Sequence, residues 1–224
     1  MRKVIGVLAL AAVAGTAAAQ GAMKMDETKQ VKQTGALPAG WMVRVDRGSN
    51  DDLNFVSMGP GMHITTGAPG IFWNPAMTAS GTYSVSATFA VRSVPLHDYY
   101  GLIWGGSDLS GDKESYGYFL VSGDGNFIVK HRSGPSQAMG RGNTDVHSVI
   151  DKTMNAAIKA APADGGSATN SLELRVGKDS VRFLVNGAQV GAVDAKNPMA
   201  PNSGIYGLRV NHNISVHVTD FAKK

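Results

Sequence analysis

An all-β sandwich or barrel is the fold class this sequence predicts, and three observations predict it. Short runs rich in β-branched and aromatic residues recur from Trp41 to Phe221. Clusters of Gly, Asn, Asp, Ser and Pro separate these runs, and helical periodicity is nearly lacking. The candidate strands are, in order, 41–46, 53–58, 61–66, 70–74, 82–92, 99–106, 115–122, 126–132, 171–177, 180–185, 188–193, 203–210 and 214–221.

The first four are short runs of this kind, bounded by turn chemistry. TYSVSATFAVR, 82–92, alternates most plainly: Tyr83, Val85, Ala87, Phe89 and Val91 share one face, and Ser84, Ser86, Thr88 and Ala90 the other. Counting from Asp98 puts Tyr100, Leu102 and Trp104 on one side of the next strand and Tyr99, Gly101 and Ile103 on the other. Trp104 either lines a groove or fills the core, the usual place for a tryptophan.

In SYGYFLVSGDGNFIVKHRSG, 115–134, a three-residue loop Gly123-Asp124-Gly125 would pair Ser122 with Asn126. Phe119, Val121, Phe127 and Val129 then share one face, and Tyr116, Tyr118, Leu120, Ile128, Lys130 and Arg132 the other. A two-residue loop would mix these sets. Asp124 therefore reads as a turn residue, bonding its own backbone between glycines that take dihedrals other residues resist, and not as a catalytic acid. The opposite face sets two tyrosines beside a lysine and an arginine, flat apolar surface with fixed donors that a sugar ring can use. An ordinary solvated sheet face has the same pattern.

Further along, IDKTMNAAIKAAPADGG places Ile150, Met154, Ala157, Ile158 and Ala161 at helical spacing, with Asp151 as N-cap and Pro162 as the stop. The spacing favours a short helix over an irregular connection. Gly177-Lys178-Asp179 joins two strands in a hairpin, and Asn186-Gly187 is the strongest hairpin signal in the chain, since a type I′ turn needs positive φ at both central positions.

The chain opens with Met1-Arg2-Lys3, an apolar stretch from Val4 to Val13, and Ala17-Ala18-Ala19, the order of a secretory signal peptide. The apolar run is shorter than the ~20 residues a membrane span needs. The expected organisation is a signal peptide at 1–19, a polar, mobile leader at 20–39 and one β domain at 40–224, in a protein that is periplasmic or secreted. Taking Arg2 and Lys3 from the 21 basic residues leaves 19 against 17 acidic ones. The bases form no run or stripe, which argues against nucleic acid as a partner. With no cysteine there is no disulfide framework, thiolate metal site or catalytic thiol.

The order GTYSVSATF, YYGLIWGGSDLSG, YGYFLVSGDGNFIVKHRSG, TNSLELRVGKDSVRFLVNGAQV and SGIYGLRV resembles the concanavalin A-like lectin/glucanase superfamily, over roughly residues 40–221. It resembles especially the superfamily's laminin-G-like and uncharacterised secreted bacterial members. The resemblance implies a jelly-roll sandwich of two curved antiparallel sheets whose concave face or rim loops often bind glycans. The Glu-x-Asp-x-x-Glu signature of the superfamily's enzymes is missing. Only Glu27, Glu114 and Glu173 are present, and no Glu-x-Asp or Glu-x-Glu strand pair supplies two facing carboxyls.

Asp108, Asp112 and Glu114 in SDLSGDKES offer oxygen ligands to calcium without the EF-hand spacing. DRGSNDD, 46–52, reads better as a polar turn. Ser110-x-x-Lys113 lies in a loop without the partner motifs of serine-acylating enzymes. The six histidines form no zinc-binding pair, and the glycines no phosphate cradle. The expectation is a non-catalytic carbohydrate-binding protein with Tyr100, Trp104, Tyr116, Tyr118, Lys130 and Arg132 as contacts, calcium as the one cofactor in question, and a glycoside hydrolase or lyase or an adhesive envelope protein as alternatives.

Overall fold

A computed structural model describes residues 29–93, 97–134, 145–162 and 167–224. The signal segment 1–19 and the leader through residue 28 lie outside the described residues. The strands are β1 Met42–Val45, β2 Leu53–Met58, β3 Gly61–Thr66, β4 Gly70–Ser80, β5 Tyr83–Ser93, β6 Tyr99–Ser107, β7 Ser115–Ser122, β8 Asn126–Ser133, β9 Asp145–Met154, β10 Ala168–Val176, β11 Ser180–Val185, β12 Ala188–Asp194, β13 Ser203–Val210 and β14 Ser215–Lys223. They pair antiparallel in two seven-stranded sheets, β1-β4-β13-β6-β7-β8-β9 and β12-β11-β10-β5-β14-β3-β2. Each sheet keeps two edges, so the architecture is a sandwich and not a closed barrel.

The inward faces follow the alternation. Tyr83, Val85, Ala87, Phe89 and Val91 all enter the core between the sheets, where they meet Phe72, Phe119, Phe127 and Phe183. Trp104 is fully buried there, its ring centroid 5.6 Å from that of Phe183 and its indole N–H donating to the Pro201 carbonyl at 2.9 Å. Gly117 lies opposite it in register and makes the room, since a Cβ there would sit 2.6 Å from the indole. Beside it, Gly105 has φ 62° and lies so close to Pro201 that a Cβ would approach within 2.2 Å.

The β11–β12 hairpin turns on Asn186 at φ 51° and Gly187 at φ 84°, with Val185 paired to Ala188, as a type I′ turn requires. One segment departs from the expectation: residues 150–161 are not helical. Ile150 to Met154 belong to β9, which pairs with β8, and the chain then turns so that Asn155 N–H donates to Gly125 at 3.1 Å and Ala161 N–H to Gly123 at 2.9 Å. The open edge of β8 offers a row of backbone donors and acceptors, and satisfying them outweighs a weak 3.6-residue spacing. Met154 consequently stands 75% exposed while Ile158 and Ala161 are buried.

Residues 29–37, read as part of a mobile leader, are tied to the β2 side of the second sheet. Gln33 N–H donates to the Asp51 carbonyl at 3.3 Å, Phe55 N–H to Gln33 Oε1 at 2.8 Å, and Thr34 N–H to Asn54 Oδ1 at 3.0 Å. These bonds run mostly to backbone, which polar composition alone does not reveal.

Candidate functional site

The site is assembled on the outer face of the first sheet. Across β7 and β8, Val121 pairs with Phe127, Leu120 with Ile128, Phe119 with Val129, Tyr118 with Lys130 and Tyr116 with Arg132. This is the register of the three-residue loop. Phe119, Val121, Phe127 and Val129 enter the core, while Tyr116, Tyr118, Leu120 and Ile128 join a second apolar cluster on the outer face with Ile71, Trp73, Ile103 and Leu109.

Over these side chains lies a charged network. Arg132 Nη1 donates to Asp46 Oδ1 at 2.6 Å and to the Tyr116 hydroxyl at 3.3 Å. Arg209 on β13 grips the same carboxylate, Nη2 to Oδ2 at 2.6 Å and Nη1 to Oδ1 at 3.2 Å, and also reaches Tyr116 at 3.1 Å. Its guanidinium lies 5.3 Å from the centre of the Tyr118 ring, in range of a cation–π contact. β13 and β8 are three strand spacings apart, ~14 Å, so two long side chains converge across the face on one acid. Nearby, Arg44 Nη1 donates to the Leu109 and Gly111 carbonyls at 3.0 and 2.8 Å and stands 3.4 Å from Glu114.

The electrostatics follow from this geometry. Burial pushes the Asp46 carboxyl up, but the two guanidiniums outweigh it and hold the group down at about 2. Burial pushes the Tyr116 hydroxyl up to about 12 against the pull of Arg209 and Arg132. Burial also raises Glu114, with Arg44 and Arg132 opposing. A cleft of about 380 Å³ opens beside the network, lined by Met42, Arg44, Asn50, Trp73 and Ser110 among others. Its size falls in the range of small-ligand sites.

The six expected contact residues separate into two groups. Tyr116, Tyr118, Lys130 and Arg132 share the outer face, Tyr116 fully buried, Tyr118 and Arg132 more than nine-tenths buried and Lys130 half-buried. Tyr100 and Trp104 point the other way, into the core, because they alternate with Ile103. The Tyr100 hydroxyl accepts from buried Asn170 at 3.0 Å. Of the proposed calcium ligands, Asp108 accepts from the Lys113 N–H at 2.8 Å and Glu114 faces Arg44. Among the described residues, no three His, Asp or Glu side chains converge as metal ligands would.

Asp124 sits in its turn as expected, but its carboxylate accepts from side chains and not from its own backbone: the Ser122 hydroxyl, and Lys152 Nζ and His97 Nδ1, each at 3.1 Å. Partial burial works against its charge, but bonds from Ser122, Asn126, Lys152 and His97 hold its carboxyl well below the usual carboxylate range. The sequence reading missed Arg44, Asp46, Trp73 and Arg209. Alternation through VRV and LRV places Arg44 and Arg209 opposite core valines, a usable signal; nothing local in DRGSNDD marks Asp46.

No family model matches the chain, and no curated protein does. Solved structures do. A carbohydrate-binding module, CBM66, from Bacillus subtilis matches with a TM-score of 0.55 at 12% identity, over 83% of this chain and 95% of that one. A Bacillus subtilis protein of unknown function with a galectin-like fold matches with a TM-score of 0.54 at 13% identity, over 82% and 88%. A Bacteroides ovatus mixed-linkage-glucan GH16 protein in complex with a product gives 0.47 at 9% identity, over 80% and 81%. At such identities the likeness shows the fold alone, and that fold is the concanavalin A-like jelly-roll sandwich.

Proposed function

We propose that this protein is an exported glycan-binding sandwich that holds a sugar at the outer face of its first sheet without cleaving it. One observation carries the reading: Trp73, Tyr116 and Tyr118 cluster with Arg44, Arg132 and Arg209 on a single face beside a cleft. Apolar rings and fixed donors suit a ligand whose ring faces are apolar and whose rim is hydroxylated. The carbohydrate-binding module that shares the fold supports it.

Binding without cleavage is supported not by the protonation of the two acids, of which guanidiniums lower one and burial raises the other, but by their partners and burial. A glycosidase sets one protonated and one ionised carboxyl across the bond it breaks. Asp46 is clamped by two guanidiniums, and Glu114 stands against a third. Tyr118 and Lys130 are the proposed contacts, with Tyr116 and Arg132 holding their shape from beneath.

A glycan-array screen of the purified protein, run with calcium and again with a chelator, tests this. The expected result is retention of at least one glycan class with no new reducing ends, and a loss of about tenfold in affinity for Tyr118→Ala, the upper end for an aromatic contact. Reducing ends released from a polysaccharide, or an empty array in both arms, refute the reading.

A further inference from the structure

The cleft beside the outer-face network does not stop at the edge of β1. A second cleft, of about 300 Å³, opens between β1, residues 33–37 and the loop at residues 50–51. Gln33, Trp41 and Asp51 wall it, and it shares Met42, Val43 and Asn50 with the first cleft, so the two adjoin. Every residue that lines the second cleft is at least partly exposed, and its groups are within reach of a ligand. The walls are also fixed. Gln33 N–H donates to the Asp51 carbonyl at 3.3 Å, its side-chain amide donates to the Phe55 carbonyl at 2.9 Å, and Trp41 N–H donates to Pro38 at 3.0 Å. The Trp41 ring is held by Phe55 and Phe221, with centroids 5.3 and 5.6 Å away.

The backbone at the junction is open. β1 is an edge strand that pairs only with β4. Asp46 N–H turns toward the β4 side and donates to the Pro69 carbonyl at 2.7 Å, whereas Val45 N–H turns outward to Asn50 Oδ1 at 3.0 Å. Backbone groups alternate sides along a strand, so the Val43 N–H and carbonyl also face outward, where the two clefts meet. Among the described residues nothing bonds them. An open edge can accept an added strand, but Asn50 closes this one at Val45 and leaves the groups of a single residue, too few to pair a strand. A hydroxylated ring needs only one such donor and acceptor.

We propose that the glycan held at the outer face runs on over Met42 and Val43 into the second cleft, so that the ligand is a chain of linked sugars and not a single ring. One unit lies in the cleft beside Arg44 and Trp73. The next crosses Val43 and meets the Asn50 amide, and a further unit stacks on Trp41 with its hydroxyls toward Asp51. Trp41 and Arg44 stand three residues apart along extended chain, ~10 Å, which is further than one ring reaches. This proposal rests on the glycan reading above and adds chain length as what the site selects.

Titration calorimetry of the full protein with β-1,4-linked gluco-, manno- and mannuronate oligosaccharides of one to six units tests it. In one of these ladders affinity is expected to climb at least tenfold between two and four units. Trp41→Ala should cost the four-unit chain about tenfold and so flatten the climb, the upper end for an aromatic contact. Because Trp41 also packs on Phe55 and Phe221, two milder variants accompany it. Trp41→Phe keeps a ring in place and should retain part of the climb. Asn50→Asp keeps the oxygen that holds Val45 but loses the amide donor, and should weaken the four-unit chain several-fold. Equal affinity at every length, or a climb that survives both Trp41→Ala and Asn50→Asp, overturns the extension and leaves the outer-face site standing. So does a glycan retained on the array with no climb in any ladder, whereas an empty array takes down both readings.

Discussion

Removing the Asp46 carboxylate would leave Arg132 and Arg209 facing each other across the outer sheet, both more than nine-tenths buried. Taking one partner from a buried charge network costs ~3–5 kcal/mol, because the remaining charges stay desolvated. Asp46→Ala is therefore expected to lower unfolding free energy in urea by that amount, with Asp46→Asn close behind; a loss under ~1 kcal/mol would show that water screens the network. The bonds from this carboxylate span 86 residues to Arg132 and 163 to Arg209, which explains why no local pattern disclosed it. The tyrosines and arginine of β7 and β8 were legible because strand alternation is local. Tyr100 and Trp104 were grouped with them on side-chain chemistry, whereas the pleat sends them to the opposite face.

At the scale of elements, hairpins were the most legible parts, since a turn is written in two or three adjacent residues. Gly187 tests this cleanly. Nothing lies within 4 Å of where its Cβ would be, so Gly187→Ala meets only backbone strain at φ 84°, worth ~1–2 kcal/mol. Asn186→Ala should cost more. Its side chain donates to the Ala157 carbonyl at 2.8 Å and to Asn170 Oδ1 at 2.9 Å, and accepts from Ser171 N–H at 2.9 Å. Chemical denaturation of both variants checks the ranking, and the reverse order would mean that the turn's dihedrals, not its bonds, secure the hairpin. β9 stayed hidden for the converse reason: its partner is β8, whose exposed edge exists only once the sheet has formed. A strand largely exposed on both faces leaves little alternation to read.

For the whole molecule, acid is the informative perturbation. Burial lowers the proton affinity of His63, aided by Arg92 and His217, and that of His131, aided by His147. Each histidine binds its proton more weakly folded than unfolded, so the unfolded chain gains protons first as pH falls through about 6.5, and stability declines until the folded groups titrate too. Asp46 adds a second decline between its ordinary 3.8 and about 2, where the folded carboxylate finally protonates. Glu114, raised by burial, works in the opposite sense and relieves its penalty on protonation. Urea midpoints at pH 7.5, 6 and 5 should therefore step downward; a flat or rising series would contradict the lowered proton affinity of the two histidines. The plan of the two sheets adds something of its own. β13 sits between β4 and β6, and β14 between β5 and β3, so the last stretch of chain is threaded into the interior of both layers. Neither sheet can be completed early by a growing polypeptide, and closure waits for residues 203–223. A chain laid out in this way is kept pliable by its own topology until its tail arrives.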